Sequence, residues 1–540
     1  MTDLASADRI VPGAVESWRR HLGEEVEAGS LRVELARGSL PLAFHETAAR
    51  YPERVALAID GEKITHGELD VLAARAGGWL REQGVGQGER VLLCGANSLD
   101  FLVAYLGILR AGCVVAPAGA TLTEPELRHL VEDSGAACAL AQGAALERLQ
   151  RVARDDGSLR LVVALEEEKE PHDLPYLRGE ISGCEPLQPG EAGGAGAALL
   201  AYTSGTTGKP KGVPLSHANL LSSIRAAMRA WRWDADDVLV HALPFTHQHG
   251  LGGVHATLLC GSRAVVHGKF DPERLCADVE SEKATVLFAV PAIYEQLAGW
   301  DGLDGADLSS LRLAVSGSAA LSPALARKVS SLLGLDLLER YGSTESGLSV
   351  SNPYDGPRKF GSVGFPLPGT ELAIVDDDEG RCLEDGESGE IVLRGPQVFS
   401  GYWNLPDATE ESFYPGGWFR TGDIGSVDPE DGYLTITGRS KEMIISGGLN
   451  VYPREVELAL EDHPAVDKAA VVGVPSERWG EEVVAFVVPA GEIDSEELGA
   501  HARERLSAYK CPKRYFTIEQ LPRNEMGKVL RDELVQKAGT

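Results

Sequence analysis

The sequence predicts an α/β fold. It points to a large N-terminal domain of helix-covered, mostly parallel sheets with a β-rich subdomain, followed by a small α+β C-terminal domain. Three observations predict it. Short β-type runs alternate with amphipathic helical stretches from Leu40 onward. Turn-punctuated strands take over after Leu367, and a second, shorter mixture of strands and helices fills the last hundred or so residues. Alternating β and α segments bury their apolar faces most simply as parallel sheets with helices laid over them. A chain of 540 residues is also too long for one core.

Taken in order, residues 1–38 are charged and mixed, with a helical stretch at "AVESWRRHLGEEVEAG", and form an extension without an assigned role. "RVALAID" and "RVLLCGA" predict strands, and "GELDVLAARAGGWLREQG" predicts a helix. "LRLVVAL", "AALLAYTS", "DVLVHALPF", "ATVLFAV" and "LRLAVSGS" repeat the strand signal, each with a helical pattern behind it. "ELAIVDDDEG", "GEIVLRGP" and "GYLTITGR" supply the β-rich part. The last unit runs from "KEMIISGG" through "AAVVGV" and "VVAFVVPA" to "KRYFTI". The break falls at "TGRSKE", giving units 1–38, 39–437 and 438–540.

Composition excludes several classes. The formal net charge is -30, from 81 acidic against 51 basic residues, which argues against nucleic acid as a partner. Anionic substrates must then be met by local cations rather than by the overall field. Eight scattered cysteines without a CxxC pair read as free thiols of a reducing compartment, not as a zinc site or disulfides. No signal-peptide core and no membrane-length apolar run is present, so the expectation is a cytoplasmic protein, monomer or homodimer.

The most chemical stretch is "AYTSGTTGKPKGVPLSH", Ala201–His217. Its glycines let main-chain N–H groups crowd around a bulky anion. Thr203, Ser204, Thr206 and Thr207 add hydroxyls, and Lys209 and Lys211 add charge. That inventory suits a polyphosphate; the plain alternative is a Gly/Ser linker, which seldom sits between apolar segments. It lacks GxxxxGK[ST] spacing, which disfavours an ordinary P-loop NTPase. "ERYGSTES", "GWFRTGDIG", "TGRSKE" and "LPRNEMGKVLR" follow in that order, each weak alone.

Together these motifs resemble the adenylate-forming superfamily of acyl-CoA synthetases, peptide-synthetase adenylation domains and luciferases, from about Leu40 to the C-terminus. The resemblance implies ATP, Mg²⁺ and coenzyme A as cofactors, and a small carboxylic acid as substrate. It makes 39–437 the ATP- and acid-binding domain and 438–540 a mobile domain with its hinge at 438–442, Lys441 at the pivot. Thr203, Ser204, Gly205, Thr206, Thr207, Gly208, Lys209 and Lys211 would grip the phosphates of ATP. Ser318, Ala319, Ala320, Glu339, Tyr341 and Gly342 would also bind ATP, with Tyr341 stacked on the adenine and Ser316–Ala320 passing along its other side. Asp423 would take the ribose hydroxyls and Arg439 would help fix the nucleotide. Thr344 and Glu345 would act at the reaction centre, with Glu345 holding the metal, and Lys528 would bridge the attacking carboxylate and the α-phosphate. Ser446, Gly447, Gly448, Lys510 and Arg514 would meet coenzyme A, although Lys510 and Arg514 can equally be a solvated basic face.

The acid pocket would be lined by His247, His249, Ser316, Arg340 and Ser343, with His247 as gate. "HALPFTHQHGL", "LLERYG" and "SNPYDGPRKFGSVG" are similar to the malonyl-CoA synthetases, in which Arg340 would pair with a distal carboxylate. Two departures stand against that: Ser343 replaces the usual Met, and Gly252-Gly253 suggests a roomier pocket for a bulkier or aromatic acid. A structural ion pair for Arg340 is the other reading. The resemblance also leaves open a stand-alone activating enzyme that hands its adenylate to a carrier-protein thiol, an amine or nitrite.

Overall fold

The computed structural model describes residues 18, 28–157, 159–166, 175–190, 196–203, 210–376, 380–446, 449–476, 478–523 and 529–539. Two largely parallel sheets form the N-terminal part. The nine-stranded one runs, in spatial order, Phe365–Pro366, Gly347–Ser351, Leu338–Ser343, Leu313–Ser316, Val286–Ala289, Val238–His241, Arg263–Val266, Val55–Ile59 and Glu62–Thr65. Its interior strands are parallel, and antiparallel pairing is confined to the two edges. The six-stranded sheet runs Leu161–Ala164, Cys138–Ala141, Arg90–Cys94, Val114–Ala118, Ala197–Thr203 and Lys211–Ser216. The expected fold class therefore holds.

The helix Leu99–Arg110 shows why the two sheets belong to one body. "LDFLVAYLGILR" is apolar on nearly every face, which only a helix buried all round tolerates, and every residue of it but Asp100 is buried. The helix His66–Glu82 packs along it, started by a capping box in which Thr65 and Glu68 exchange side-chain and backbone hydrogen bonds. Their crossing demands glycine: a Cβ on Gly107 would lie 2.5 Å from that of Ala76.

An antiparallel sheet of Glu371–Val375, Gly389–Arg394, Trp418–Val427, Phe413–Tyr414 and Leu434–Arg439 supplies the β-rich part. The last of these strands runs to Arg439, and a short 3-10 turn, Ser440–Glu442, follows it. The C-terminal part has its own sheet of Leu449–Val451, Ile444–Ser446, Gly480–Pro489, Val466–Ser476 and Arg514–Thr517, covered by the helices Pro453–Glu461, Ser495–Arg505 and Arg531–Ala538. Its own apolar core centres on Val471, Val483, Ala485 and Leu460.

What is described of the N-terminal extension packs on the large part. Trp18 donates from its indole nitrogen to the Pro366 carbonyl at 2.7 Å, and Arg32 of the helix Ala28–Leu35 pairs with Glu371 at 2.8 Å. Arg225 closes the end of that helix by donating to the carbonyls of Leu35 and Arg37. All eight cysteines are free. Among the described residues no helix is long and apolar enough to cross a membrane.

Candidate active site

In open parallel sheets, ligands gather at the carboxyl ends of the strands. Here the ends of Val238–His241, Val286–Ala289, Leu313–Ser316 and Leu338–Ser343 lie side by side, with Phe288 opposite His241 and Ser316 opposite Glu339. Beyond them sit the turn Gly317–Ala320 and the start of the helix Gln248–Cys260.

Arg340 is the centre of one wall. It is buried, its Nη2 reaches the Ser318 hydroxyl at 3.5 Å, and its Nε has no partner. The guanidinium lies over Gly317, where a Cβ would come 2.3 Å from Nε. Burial pulls its pKa down to about 9, and no carboxylate among the described residues offsets that. Ser318 itself has φ 68°, a left-handed backbone rare for a non-glycine residue and usual where strain is held for a site. Its hydroxyl also meets Nδ1 of buried His249 at 3.1 Å. The Nε2 of His249, the Ser316 hydroxyl and Nε2 of His241 have no partner. Burial first, then neighbouring Arg340, holds His249 well below the usual imidazole range, so it is neutral. The Phe288 ring closes this pocket 5.5 Å from His249.

A second group forms around Tyr341. Its hydroxyl donates to Asp423 Oδ2 at 2.6 Å, while Arg439 donates from Nε to Oδ1 at 2.9 Å. Asp423 and Arg439 are cross-strand partners, so sheet register sets that contact. Burial, then Asp423, pushes the Tyr341 hydroxyl well above its ordinary range. Glu339 is buried next door; its Oε2 has no partner and burial raises its carboxyl to about 7.

The third group surrounds Glu345, which accepts from the Tyr402 hydroxyl at 3.1 Å. Lys211 places its ammonium 4.9 Å from the centre of the same ring. Thr203 and Lys211 are cross-strand partners, which brings the ends of these two strands together. Thr344 is tied in through its carbonyl, which accepts from Gln248 next to His247.

Not every expected residue joins these groups. Ser343 spends its hydroxyl on Ser346, accepting from its backbone N–H at 3.1 Å. Gly253 does not enlarge the pocket: a Cβ there would lie 2.8 Å from Leu239, so the glycine serves helix-to-sheet packing. Lys510 pairs with Glu455 at 2.5 Å and Arg514 with Glu482 at 3.1 Å; Ser446 is buried in its hairpin, and Lys441 is exposed in the turn after Arg439. Ser204, Gly205, Thr206, Thr207, Gly208, Lys209, Gly447, Gly448 and Lys528 lie outside the described residues. Tyr402, Gln248 and His241 are the side chains that sequence reasoning passed over. "SGYWN" held the only hint of Tyr402, an aromatic pair behind a glycine.

The chain matches the family of AMP-binding enzymes over residues 44–403, and the C-terminal domain of AMP-binding enzymes over residues 455–528. The chain belongs to the AMP-binding enzyme family, on its acyl-CoA synthetase branch. It is 37% identical over 519 residues to a feruloyl-CoA synthase of an Amycolatopsis species, covering 95% of this chain and 99% of that one. A malonate–CoA ligase of Arabidopsis thaliana is 34% identical, with 91% and 87% covered. The crystal structure of ATP-bound MatB from Rhodopseudomonas palustris superposes with a TM-score of 0.86 at 34% identity, over 92% of this chain and 98% of that one. An AMP-forming acyl-CoA synthetase needs a site that screens two anions from each other.

Proposed function

We propose that this acyl-CoA synthetase activates a small dicarboxylic acid, malonate or a methyl-substituted malonate, and passes it to coenzyme A. One observation carries the choice of acid: the buried Arg340 guanidinium has no carboxylate partner among the described residues. A buried cation without an anion is costly, and the substrate can supply that anion. The reacting carboxylate is committed to phosphorus, so the anion must be a second carboxylate. Because His249 is neutral, the pocket offers one positive charge, enough for one extra carboxylate.

In this reading the acid's carboxylate oxygen attacks the α-phosphorus of ATP and pyrophosphate leaves. A coenzyme A thiolate then attacks the acyl carbon and AMP leaves. The loop between Thr203 and Lys211 takes the β- and γ-phosphates. Tyr341, Asp423 and Arg439 hold the nucleoside, with Ala319, Ala320 and Gly342 lining it, and Lys528 brings a cation to the reacting oxygens. Glu345 offers a hard carboxylate oxygen, oriented by Tyr402, that suits Mg²⁺ beside phosphate oxygens; bound there, the ion supplies charge neutralisation.

A second reading, an aryl acid, is favoured by the feruloyl-CoA synthase relative and by the Phe288 wall. Pyrophosphate release with Mg·ATP over malonate, methylmalonate, ferulate, benzoates and fatty acids, with and without coenzyme A, separates them. Malonyl-CoA formation with the highest kcat/KM for malonates is expected. Faster turnover of ferulate or benzoates overturns the dicarboxylate reading, and release without any thioester points to another acceptor.

A further inference from the structure

Arg531 joins two carboxylates and a backbone carbonyl in the C-terminal part, and none of the roles above uses it. Its Nε donates to Glu442 Oε2 at 2.9 Å, and its Nη1 donates to Glu457 Oε1 at 2.7 Å and to the Val471 carbonyl at 2.7 Å. Three pieces of chain meet there. Glu442 ends the 3-10 turn Ser440–Glu442 that follows Arg439. Glu457 sits buried on the helix Pro453–Glu461. Arg531 opens the last helix, three residues after Lys528.

The base of the segment carrying Lys528 is also pinned. Arg523 and Val529 form an isolated antiparallel bridge, and the Leu530 N–H donates to the Pro522 carbonyl at 2.9 Å. Arg531 follows immediately after this stem. The network goes on through Glu457, whose other oxygen accepts from Arg454 at 3.5 Å, and Arg454 also pairs with Glu461 at 3.1 Å. Burial pushes the Glu457 carboxyl up, but Arg531 and Arg454 outweigh it and hold it below the usual range. Glu457 is thereby matched, as a buried network requires.

We propose that Arg531 is a positioning residue for adenylate formation: it joins the turn at Glu442 to the stem of the Lys528 segment, so that the orientation of that turn sets where the lysine is delivered. A brace of this kind matters because catalytic placement is steep: a shift of about 1 Å can cost around a hundredfold. It acts only in the step that uses Lys528. The inference rests on the reading of Lys528 as the residue that meets the reacting oxygens.

The test compares Glu442→Gln, Arg531→Lys, Arg531→Met, their double variant Glu442→Gln/Arg531→Met, and Lys528→Ala in the full chain. Glu442→Gln leaves buried Glu457 paired, so it keeps the fold even where Arg531→Met does not. Two readouts are taken: acid-dependent pyrophosphate release, and transfer to coenzyme A from the separately prepared acyl-adenylate. Glu442→Gln should slow adenylation turnover roughly tenfold with KM for ATP and acid little changed, and leave transfer within about twofold. Arg531→Lys should recover part of what Arg531→Met loses, and the double variant should be no slower than Arg531→Met. Equal loss in both half-reactions, or additive losses in the double variant, overturns the brace. Normal adenylation in Glu442→Gln while Lys528→Ala is slow removes the brace alone, whereas normal adenylation in Lys528→Ala removes the reading of Lys528 and the brace with it.

Discussion

The Tyr341 hydroxyl and Asp423 share a 2.6 Å hydrogen bond between the end of a parallel strand and the β-rich sheet. Among the described residues, buried Asp423 has the side chains of Tyr341 and Arg439 on its two carboxylate oxygens, which fixes its geometry. Tyr341→Phe keeps the ring and removes one donor to a carboxylate, a bond worth about 1.5–3 kcal/mol. KM for ATP should rise roughly tenfold or more with a smaller change in turnover at saturation. An unchanged KM in steady-state pyrophosphate assays would show that Asp423 does not depend on this contact.

Arg340→Met offers a pair of measurements that pull apart. If the guanidinium waits for a carboxylate, its loss should cost a dicarboxylate about 2–5 kcal/mol, upwards of thirtyfold in kcat/KM. Removing a buried charge that has no carboxylate beside it should leave the thermal midpoint unchanged or higher, since uncompensated burial is unfavourable. A fall of the midpoint with kcat/KM held within about threefold would instead make Arg340 structural.

The architecture was legible where local chemistry and tertiary context agree. "ATVLFAV" and "LRLAVSGS" became neighbouring interior strands because their short continuous apolar runs suit a strand buried on both faces. The strand Val114–Ala118 was hidden by Pro117, which a central strand normally excludes. It fits because the ladder to Ala197–Thr203 pairs only at Val115, short of the proline. In the site, motif residues could be found but not their partners. Tyr402 stands 57 positions from Glu345, and Glu455 and Glu482 meet Lys510 and Arg514 through folding alone. Gly253 carries the same lesson, because a glycine that opens space and one that closes a packing contact look alike in sequence.

Stability should fall as the pH drops through the histidine range. Burial lowers His217 to about 4, and His241 and His255 to about 3. Two of them accept backbone N–H groups at Nδ1, His217 from Leu40 and His241 from Leu243, roles that protonation destroys. With folded values below the unfolded value, the unfolded chain takes up protons that the folded chain refuses. Stability is therefore complete above about pH 7 and is lost progressively below it, by about 2 kcal/mol per histidine at pH 5. Urea unfolding at pH 7.5, 6 and 5, all buffer conditions that leave most carboxylates ionised, should show the midpoint fall stepwise. A flat profile across that range would contradict the buried, neutral state of these rings.

Lys468 of the C-terminal sheet reaches across to Glu295 of the helix Pro291–Ala298 and pairs with it at 2.7 Å. The two side chains are about a quarter exposed, which places the pair between a solvated surface bridge and a buried one. It belongs to this arrangement of the two parts; if the C-terminal part turns about Ser440–Glu442, as the resemblance implies, the pair is broken. Glu295→Gln should leave each part folded but weaken this arrangement by no more than about 1 kcal/mol, roughly a fivefold shift in the populations. The rates of adenylation and of transfer from preformed adenylate should then move in opposite directions by up to that factor, and high salt should reproduce part of the shift in the unsubstituted protein. Half-reactions that fall together, or that do not respond to either change, would mean that this pair does not help to hold the two parts in their present orientation.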